Sequence, residues 1–253
     1  MQDPKFIHLR VHTAYSLALG AIQVPELIHK LHAMNVPAVA ITDRGNIFGG
    51  KCFSQYAANE GIKPILGSEL SLHNDDSENL AISKGEELEP KRIILLVQNA
   101  AGYASLMKLY RRYYLDNMQT STYPQITMQN LREFNEGLIC LTGGFEGPLG
   151  SLILQNRIED AEKKLLELKE IFGDRLYIEI SRVGYDDEKR TEPYFLELAY
   201  KHNIPLVATN DVFFFDEDMY EAHDALVCIA EGEYVVNENR HKYQLNTNLK
   251  FKL

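Results

Sequence analysis

Residues 36–43 read VPAVAITD, and residues 204–211 read IPLVATND. Each stretch begins with an apolar residue and a turn proline, continues as a short apolar run, and ends in a carboxylate. A short apolar run bounded by turn residues is typical of a strand that is buried on both faces of a parallel sheet. The two stretches therefore predict two buried strands, with Asp43 and Asp211 at their C-terminal ends.

Similar apolar runs follow one another along the chain and alternate with amphipathic patterns. The predicted strands are Phe6–Val11, Ala38–Thr42, Lys63–Leu66, Glu69–Leu72, Arg92–Val97, Leu138–Thr142, Leu176–Ile180 and Pro205–Thr209. The predicted helix faces are Val24, Leu27, Ile28, Leu31; then Ile158, Ala161, Leu165, Leu168, Ile171; then Met219, Ala222, Leu226, Ile229. Repeated strand–helix units require parallel strands with crossover helices. About seven or eight such units favour a closed or nearly closed α/β barrel.

Length and charge limit the function further. The chain has 253 residues, with 36 acidic against 26 basic side chains and a formal net charge of −10. This acidity disfavours a free-standing nucleic-acid binder, which needs a basic surface. No apolar run reaches membrane-spanning length, and three cysteines without paired spacing indicate reduced thiols. We expect a soluble cytoplasmic protein with one domain over residues 1–253 and an exposed, acidic insertion around residues 73–90.

Polar residues at the predicted strand ends are the candidate site. In a parallel barrel, function lies at the C-terminal ends of the strands, which here carry His12, Asp43, Glu69 and Asp211. The first strand alternates further, so that His8, Arg10 and His12 share one face. Imidazoles and carboxylates converging at one mouth are typical of a metal site. The alternative is a set of hydrogen-bonded polar side chains with no metal.

Five ordered motifs resemble a known family. They are residues 6–16 (FIHLRVHTAYS), 40–46 (AITDRGN), 61–69 (GIKPILGSE), 136–144 (EGLICLTGG) and 207–211 (VATND). Together they resemble the polymerase and histidinol phosphatase (PHP) domain, and more narrowly the PHP domains that open bacterial DNA polymerase III alpha subunits. The resemblance implies an α/β fold, an irregular (β/α)7 TIM-like barrel. It also implies that the chain is the N-terminal fragment of a much longer polypeptide.

The departures from the family pattern decide the expected chemistry. Active members hold a cluster of about three metal ions that activate water against a phosphoester. By this resemblance His12, Asp43, Glu69 and Asp211 stand at ligand positions. Positions where the family has ligands carry other residues here, namely Arg10, Arg44, Arg92, Gly144, Val183 and Phe213.

We therefore expect a degenerate pocket without catalytic residues or metal. A guanidinium keeps its proton and repels a metal cation. The hypothesis is that Arg10, Arg44 and Arg92 form ion pairs with Asp43, Glu69 and Asp211 in place of metal–carboxylate bonds. The pocket set is His8, Arg10, His12, Asp43, Arg44, Glu69, Arg92 and Asp211. The alternative is a residual metal-dependent phosphoesterase, exonuclease or pyrophosphatase, with metal on His12, Asp43, Glu69 and Asp211.

The resemblance also implies a role in DNA replication. The parent polypeptide would be a DNA-directed DNA polymerase, a nucleotidyltransferase that uses magnesium, whereas this fragment would need no cofactor. The fragment would be a scaffold for the remaining polymerase domains and a docking site for the proofreading exonuclease (epsilon) subunit. DNA would contact the parent polymerase rather than primarily this domain. Whether the fragment alone is an enzyme stays open at this point.

Overall fold

The computed structural model describes residues 6–73, 91–115 and 124–250, so nearly all of the predicted insertion at 73–90 lies outside the described residues. The chain forms two compact units. The first unit contains residues 1–68, 181–185 and 208–253, and the second contains residues 69–180 and 186–207. Among the described residues, no helix is both long enough and apolar enough to cross a membrane.

Strands and helices alternate along the described chain, as the sequence predicts. The strands are β1 Ala38–Ile41, β2 Lys63–Leu72, β3 Lys91–Val97, β4 Leu138–Leu141, β5 Leu176–Ser181 and β6 Leu206–Thr209. The helices are α1 Val24–Ala33, α2 Gly50–Asn59, α3 Ala100–Leu115, α4 Met128–Glu133, α5 Pro148–Leu154, α6 Ile158–Phe172, α7 Asp186–His202 and α8 Tyr220–Glu231. The six strands are neighbours in one sheet in the order β1 to β6. The mixed α/β class is therefore confirmed.

The first unit is built around β1 and α1. Strand β1 pairs in parallel with the first part of β2, from Ala38 opposite Lys63 to Ile41 opposite Leu66. Helix α1 buries the face that the sequence predicts, and its members pack in one core with β1 and α2. Burying each such aliphatic side chain stabilises the fold by about 1.5–3 kcal/mol. This core fixes the end of β1, and with it the position of Asp43.

The second unit departs from the all-parallel expectation between β3 and β4. Strands β4 and β5 are parallel, but β3 and β4 are antiparallel, with Val97 opposite Leu138 and Ile94 opposite Leu141. The connection between β3 and β4 therefore leaves and returns at the same end of the sheet. Helix α6 ends as predicted, because Gly173 adopts a positive φ of 58° directly after it. Cys140 is fully buried in β4, and burial raises the pKa of its thiol well above the usual value.

Four predicted elements need correction. Strand β6 is not the buried strand that the sequence predicts, because only Thr209 of its four residues is buried and Leu206 is 36% exposed. The predicted strands Lys63–Leu66 and Glu69–Leu72 form the single strand β2, so Glu69 lies within a strand and not at the C-terminal end where it was predicted. The predicted strand Phe6–Val11 is not a regular strand, and its alternation of faces is lost at Arg10, Val11 and His12, which are all buried.

On α8 the predicted face is wrong at Ala222 and Ile229, which are exposed, because the structure buries His223, Val227 and Cys228 instead. Leu226 is half-buried, and Met219, directly before the helix, packs against the core.

The first segment is irregular because it carries an extra residue beside β1. The amide of Ala40 donates to His8 O, and the amide of Thr42 donates to Val11 O. Between these two hydrogen bonds the first segment advances three residues where β1 and its continuation advance two. Thr42 Oγ1 accepts the remaining hydrogen bond, from the amide of Val11 at 3.0 Å. Such a bulge redirects the side chains that follow it. On its other side the segment stays paired, since Arg10 O accepts from the amide of Val212.

Candidate functional site

Asp43 accepts hydrogen bonds on both of its carboxylate oxygens. It follows β1 and is 1% exposed. Oδ1 accepts hydrogen bonds from the amide of Thr13 at 2.7 Å and from Ser16 Oγ at 2.7 Å, and Oδ2 accepts from Thr13 Oγ1 at 2.8 Å. Three donors satisfy most of the hydrogen-bonding capacity of a carboxylate in this buried place. The loop after the irregular first segment therefore holds Asp43 through neutral donors.

Arg10 and His12 both contact the side chain of Asp211. The Arg10 Nε atom lies 2.9 Å from Asp211 Oδ1, and His12 Nε2 donates a hydrogen bond to the same oxygen at 2.9 Å. The Arg10 side chain is 3% exposed and that of Asp211 is 11% exposed, so water screens this ion pair only weakly. Asp211 has a φ of 41°, a left-handed conformation that aspartate tolerates at a cost of about 1 kcal/mol.

The His12 ring connects the Asp211 pair with the Asp43 network. It is fully buried and stacks on Phe213, with 4.5 Å between ring centroids and 6° between ring planes. A carboxylate oxygen can only accept, so the Nε2 atom that faces Asp211 carries the proton. The other ring nitrogen, Nδ1, lies 3.4 Å from Ser16 Oγ. Stacking and two polar contacts thus fix both the plane and the proton position of this imidazole.

Two more residues of the predicted pocket lie in the first unit. His8 is buried, and its burial lowers the pKa of the imidazole to about 4, against a smaller opposing effect of a hydrogen bond with the backbone of Leu249. His8 is therefore neutral at pH 7. Arg44 is partly buried, and its amide donates to Ser16 Oγ at 3.1 Å.

The remaining two predicted residues, Glu69 and Arg92, lie in the second unit. Arg92 Nη1 donates to Glu69 Oε1 at 2.8 Å, and Arg92 Nε lies 3.6 Å from Glu146 Oε1. The Glu69 side chain is 1% exposed and that of Arg92 is 19% exposed. The Arg92 guanidinium lies between the carboxylates of Glu69 and Glu146. It compensates the charge of the buried Glu69, which has little access to water.

Residues that the sequence marked as replacing family ligands also have defined surroundings. Phe213 contacts His12, as described, and its ring centroid lies 4.4 Å from that of Tyr243. Val183 is buried, and Gly144 is buried with a φ of 59° in the turn after β4. In the same turn the amide of Gly143 donates to the buried Glu179 at 2.9 Å. The three positions Gly144, Val183 and Phe213 therefore carry apolar side chains or backbone alone.

Sequence reasoning found the carboxylates but missed several of their partners. Thr13 and Ser16 bind Asp43, and Glu146 lies beside Arg92, although none of the three was singled out as a site residue. Thr13 follows His12 directly and Ser16 comes four residues after it, so short hydroxyl residues soon after this histidine were an available signal. Glu146 had no such signal, because its partner lies on a distant strand.

The family of the chain follows from comparison with known proteins. The family model of the PHP domain matches residues 8–183, which is most of the chain. The chain belongs to the PHP domain family.

Within that family, the chain is similar to part of a replication enzyme. It is 37% identical over 240 residues to DNA polymerase III subunit alpha of Caulobacter vibrioides, covering 94% of this chain and 20% of that protein. It is 36% identical over 242 residues to the subunit of the same name from Vibrio cholerae, covering 96% of this chain and 20% of that protein. The chain thus spans about a fifth of the length of these curated relatives.

Solved structures show the same fold at low identity. An amidohydrolase from Chromobacterium violaceum, solved with bound sulfate and no metal, matches with a TM-score of 0.52 at 15% identity. The match covers 83% of this chain and 88% of that one. At this identity the likeness establishes the fold alone. It agrees with the α/β PHP fold that the resemblance implies.

Proposed function

We propose that the chain is the PHP domain of a replicative DNA polymerase III alpha subunit, and that the domain itself is catalytically inactive. The observation that carries this proposal is the position of Arg10 Nε, 2.9 Å from the Asp211 oxygen that also accepts from His12. This places a fixed positive charge beside the Asp211 carboxylate, where it would repel a metal cation. The inferred role is structural.

The donor set of the first unit does not fit a multinuclear metal cluster. Both ring nitrogens of His12 already have polar neighbours, since Nε2 contacts Asp211 and Nδ1 lies 3.4 Å from Ser16 Oγ. Both oxygens of Asp43 are engaged by Thr13 and Ser16. The Arg10 guanidinium adds repulsion toward any cation. No catalytic step through a metal is derived, and catalytic residues and a bound metal are not expected.

The proposed role of the parent polypeptide rests on the relatives. They are named as polymerase subunits, and the chain matches about a fifth of their length. We propose a longer DNA-directed DNA polymerase that works in the cytoplasm with magnesium held by its other domains. The domain would support those polymerase domains and bind the proofreading exonuclease (epsilon) subunit. Its net charge of −10 supports leaving DNA contacts mainly to the rest of the polymerase.

Metal analysis and an activity assay on one preparation test inactivity. We expect less than 0.1 equivalents of zinc, manganese or iron after gel filtration in a metal-containing buffer, and no hydrolysis of 5′-phosphorylated DNA or p-nitrophenyl phosphate with added manganese. Stoichiometric metal, or turnover that Asp43→Asn abolishes, would refute the proposal. A pull-down with the cognate exonuclease subunit tests the docking role separately, and failure to bind it at micromolar concentration would refute that part.

One observation favours a second candidate, a residual phosphoesterase, exonuclease or pyrophosphatase. His12, Asp43 and Asp211 are ligand-type side chains buried in one unit, and His12 and Asp211 are in direct contact. A metal that displaced Arg10 would find an imidazole and a carboxylate already adjacent. The same assays separate the two candidates, because only the second expects metal uptake together with manganese-dependent turnover.

A further inference from the structure

Helix α3 combines basic and aromatic residues that the proposed function does not use. Its residues 100–115 read AAGYASLMKLYRRYYL, with three basic side chains and no acidic one, in a chain whose net charge is −10. The side of the helix that packs into the core consists of Gly102, Ser105, Leu106, Leu109 and Tyr113. The helix therefore concentrates positive charge at the surface of an otherwise acidic chain.

The side of α3 that faces away from this core presents rings and cations together. Tyr103 and Tyr114 are 45% and 41% exposed, and Lys108 and Arg111 are exposed between them. Residues three and four positions apart share one side of a helix, so these four side chains form one surface. The two tyrosines are eleven residues apart, which is about 17 Å along the helix axis. We name Tyr103, Lys108, Arg111 and Tyr114 the aromatic–basic face.

Neighbouring rings hold part of this face in position. Lys108 Nζ lies 5.7 Å from the centroid of the Phe134 ring, which is within the range of a cation–π contact. The Tyr114 ring packs edge-on against the buried Tyr113, with 5.0 Å between centroids and 84° between ring planes. A side chain that is already ordered loses less conformational entropy when a ligand binds.

The cations of this face are available to an anion. Within residues 6–73, 91–115 and 124–250, neither Lys108 nor Arg111 forms an ion pair. Arg112 lies on the flank of the helix, and its Nη2 atom is 3.8 Å from Glu133 Oε2. The Glu133 carboxylate therefore compensates the flanking guanidinium, and the two charges of the aromatic–basic face remain.

Single-stranded nucleic acid is the anionic partner that fits both features of this face. It offers phosphates to the cations and base surfaces to the tyrosine rings, and proteins that bind single strands combine these two contacts. At a stacked spacing of about 3.4 Å, the distance between the tyrosines corresponds to about five nucleotides. An acidic peptide would pair with the cations but would give Tyr103 and Tyr114 no stacking partner.

We propose that the aromatic–basic face of α3 binds single-stranded nucleic acid, with phosphates on Lys108 and Arg111 and bases stacked on Tyr103 and Tyr114. This site goes beyond the proposed function and does not depend on it, because neither an inactive pocket nor a longer polypeptide enters the reasoning. The contact is local and of modest affinity, since the net charge of −10 disfavours phosphates on the rest of the surface.

Fluorescence anisotropy with a labelled strand of fifteen thymidine nucleotides tests the proposal on this chain in about 50 mM salt. We expect half-saturation below about 100 µM. Lys108→Gln combined with Arg111→Gln should weaken binding at least 10-fold and make the slope of log Kd against log salt shallower by about 1.4. Tyr103→Leu should weaken binding at least 5-fold, because it removes one stacking surface.

Helix α2 offers matched control substitutions. Tyr56 on α2 is 44% exposed and Lys51 is exposed, so Tyr56→Leu and Lys51→Gln remove the same kinds of side chain from another surface. They should change the affinity less than 2-fold, with circular dichroism showing that every variant is folded. Half-saturation above about 100 µM, or equal effects of the α2 and α3 substitutions, would overturn the proposal. A labelled glutamate dodecamer that binds as tightly as the DNA strand would assign the face to an acidic peptide and would also overturn it.

A tryptophan substitution detects the stacking contact directly. The chain contains no tryptophan, so Tyr103→Trp introduces a single indole and keeps an aromatic ring at this position. We expect this variant to bind the strand within 3-fold of the wild type, and its indole fluorescence to fall by at least half at saturation. The indole of Tyr56→Trp, the control on α2, should change by less than a tenth. Unchanged fluorescence of Tyr103→Trp would contradict stacking and would overturn the proposal.

Discussion

Arg10 and His12 contact the same carboxylate oxygen, Oδ1 of Asp211, each at 2.9 Å. The shared contact joins the irregular first segment to the residue that follows β6, about two hundred positions later in the chain. It also gives Asp211 a cationic and a hydrogen-bonding partner at once, although the backbone of Asp211 is left-handed. The pair is therefore expected to stabilise the fold of the first unit.

A double-mutant cycle on this pair measures that stabilisation. Arg10→Met leaves a buried carboxylate without its cation and is expected to lower the free energy of unfolding by about 3 kcal/mol. Asp211→Asn keeps a residue that tolerates positive φ. In the double variant the loss should be smaller than the sum of the single losses by about 2 kcal/mol. Urea unfolding followed by circular dichroism is the measurement, and strictly additive losses would contradict a stabilising pair.

The Arg92–Glu69 pair of the second unit should matter more than a surface pair. Arg92→Gln leaves the 1% exposed Glu69 side chain without its guanidinium, and we expect a loss of about 2 kcal/mol in unfolding free energy. The matched control is Lys189→Gln, which breaks an exposed pair with Asp186 and should cause no measurable loss. Equal effects of the two substitutions would show that burial of Glu69 does not decide the outcome.

Acid should destabilise the protein through His8. The folded pKa of His8 is about 4 against 6.5 in the unfolded chain, so the unfolded state binds more protons between these values. Stability from this group is present above pH 6.5 and is lost as the pH falls toward 4. Between pH 7 and pH 5 the expected loss is about 2 kcal/mol.

A His8→Gln variant isolates that contribution. Its unfolding free energy should fall by about 2 kcal/mol less than that of the wild type between pH 7 and pH 5. Some acid sensitivity should remain, because burial also lowers the pKa of His223. Urea titrations at both pH values provide the comparison. Parallel pH dependence of the two proteins would mean that His8 is not the group responsible.

Gly143 should tolerate no side chain, because β3 lies too close. A Cβ at this position would be 2.0 Å from Arg92 O, and the φ of 78° is itself unfavourable for alanine. We expect Gly143→Ala to cost about 3 kcal/mol, the sum of backbone strain and steric overlap. Gly61→Ala is the control, since Gly61 has a φ of 70° with nothing within 4 Å of the added atom, and should cost only about 1 kcal/mol. Similar melting temperatures for both variants would contradict this account.

Elements that local sequence specifies were predictable. Helix α1 buries the four apolar residues that share one face at a 3.6-residue period. Gly173, a residue type that commonly ends helices, directly follows α6 as predicted. The same holds for β1, a buried strand that follows a turn proline. At β6 the turn proline and the apolar run give the strand but not its burial, since only Thr209 is buried. Asp43 and Asp211 could therefore be placed at strand ends from the sequence.

Elements that depend on distant partners were not predictable. The regular alternation of residues 6–11 is broken because Thr42 Oγ1 replaces a ladder bond, and the alternation itself carries no sign of that. Helix α8 turns His223 inward because its Nε2 hydrogen-bonds to Leu19 O, so an imidazole takes a core position that an aliphatic residue was expected to fill. The antiparallel pairing of β3 with β4 depends on where their connection returns.

The sequence by itself determined the α/β class and the positions of Asp43 and Asp211 after strands, because these depend on residue type and short-range periodicity. Only the tertiary structure decided which arginine meets which carboxylate: Arg10 contacts Asp211, Arg92 contacts Glu69, and Asp43 is held by Thr13 and Ser16. The physical reason is that ion-pair partners depend on the distance between side chains and on their burial in the folded chain. Neither quantity can be read from the order of the residues.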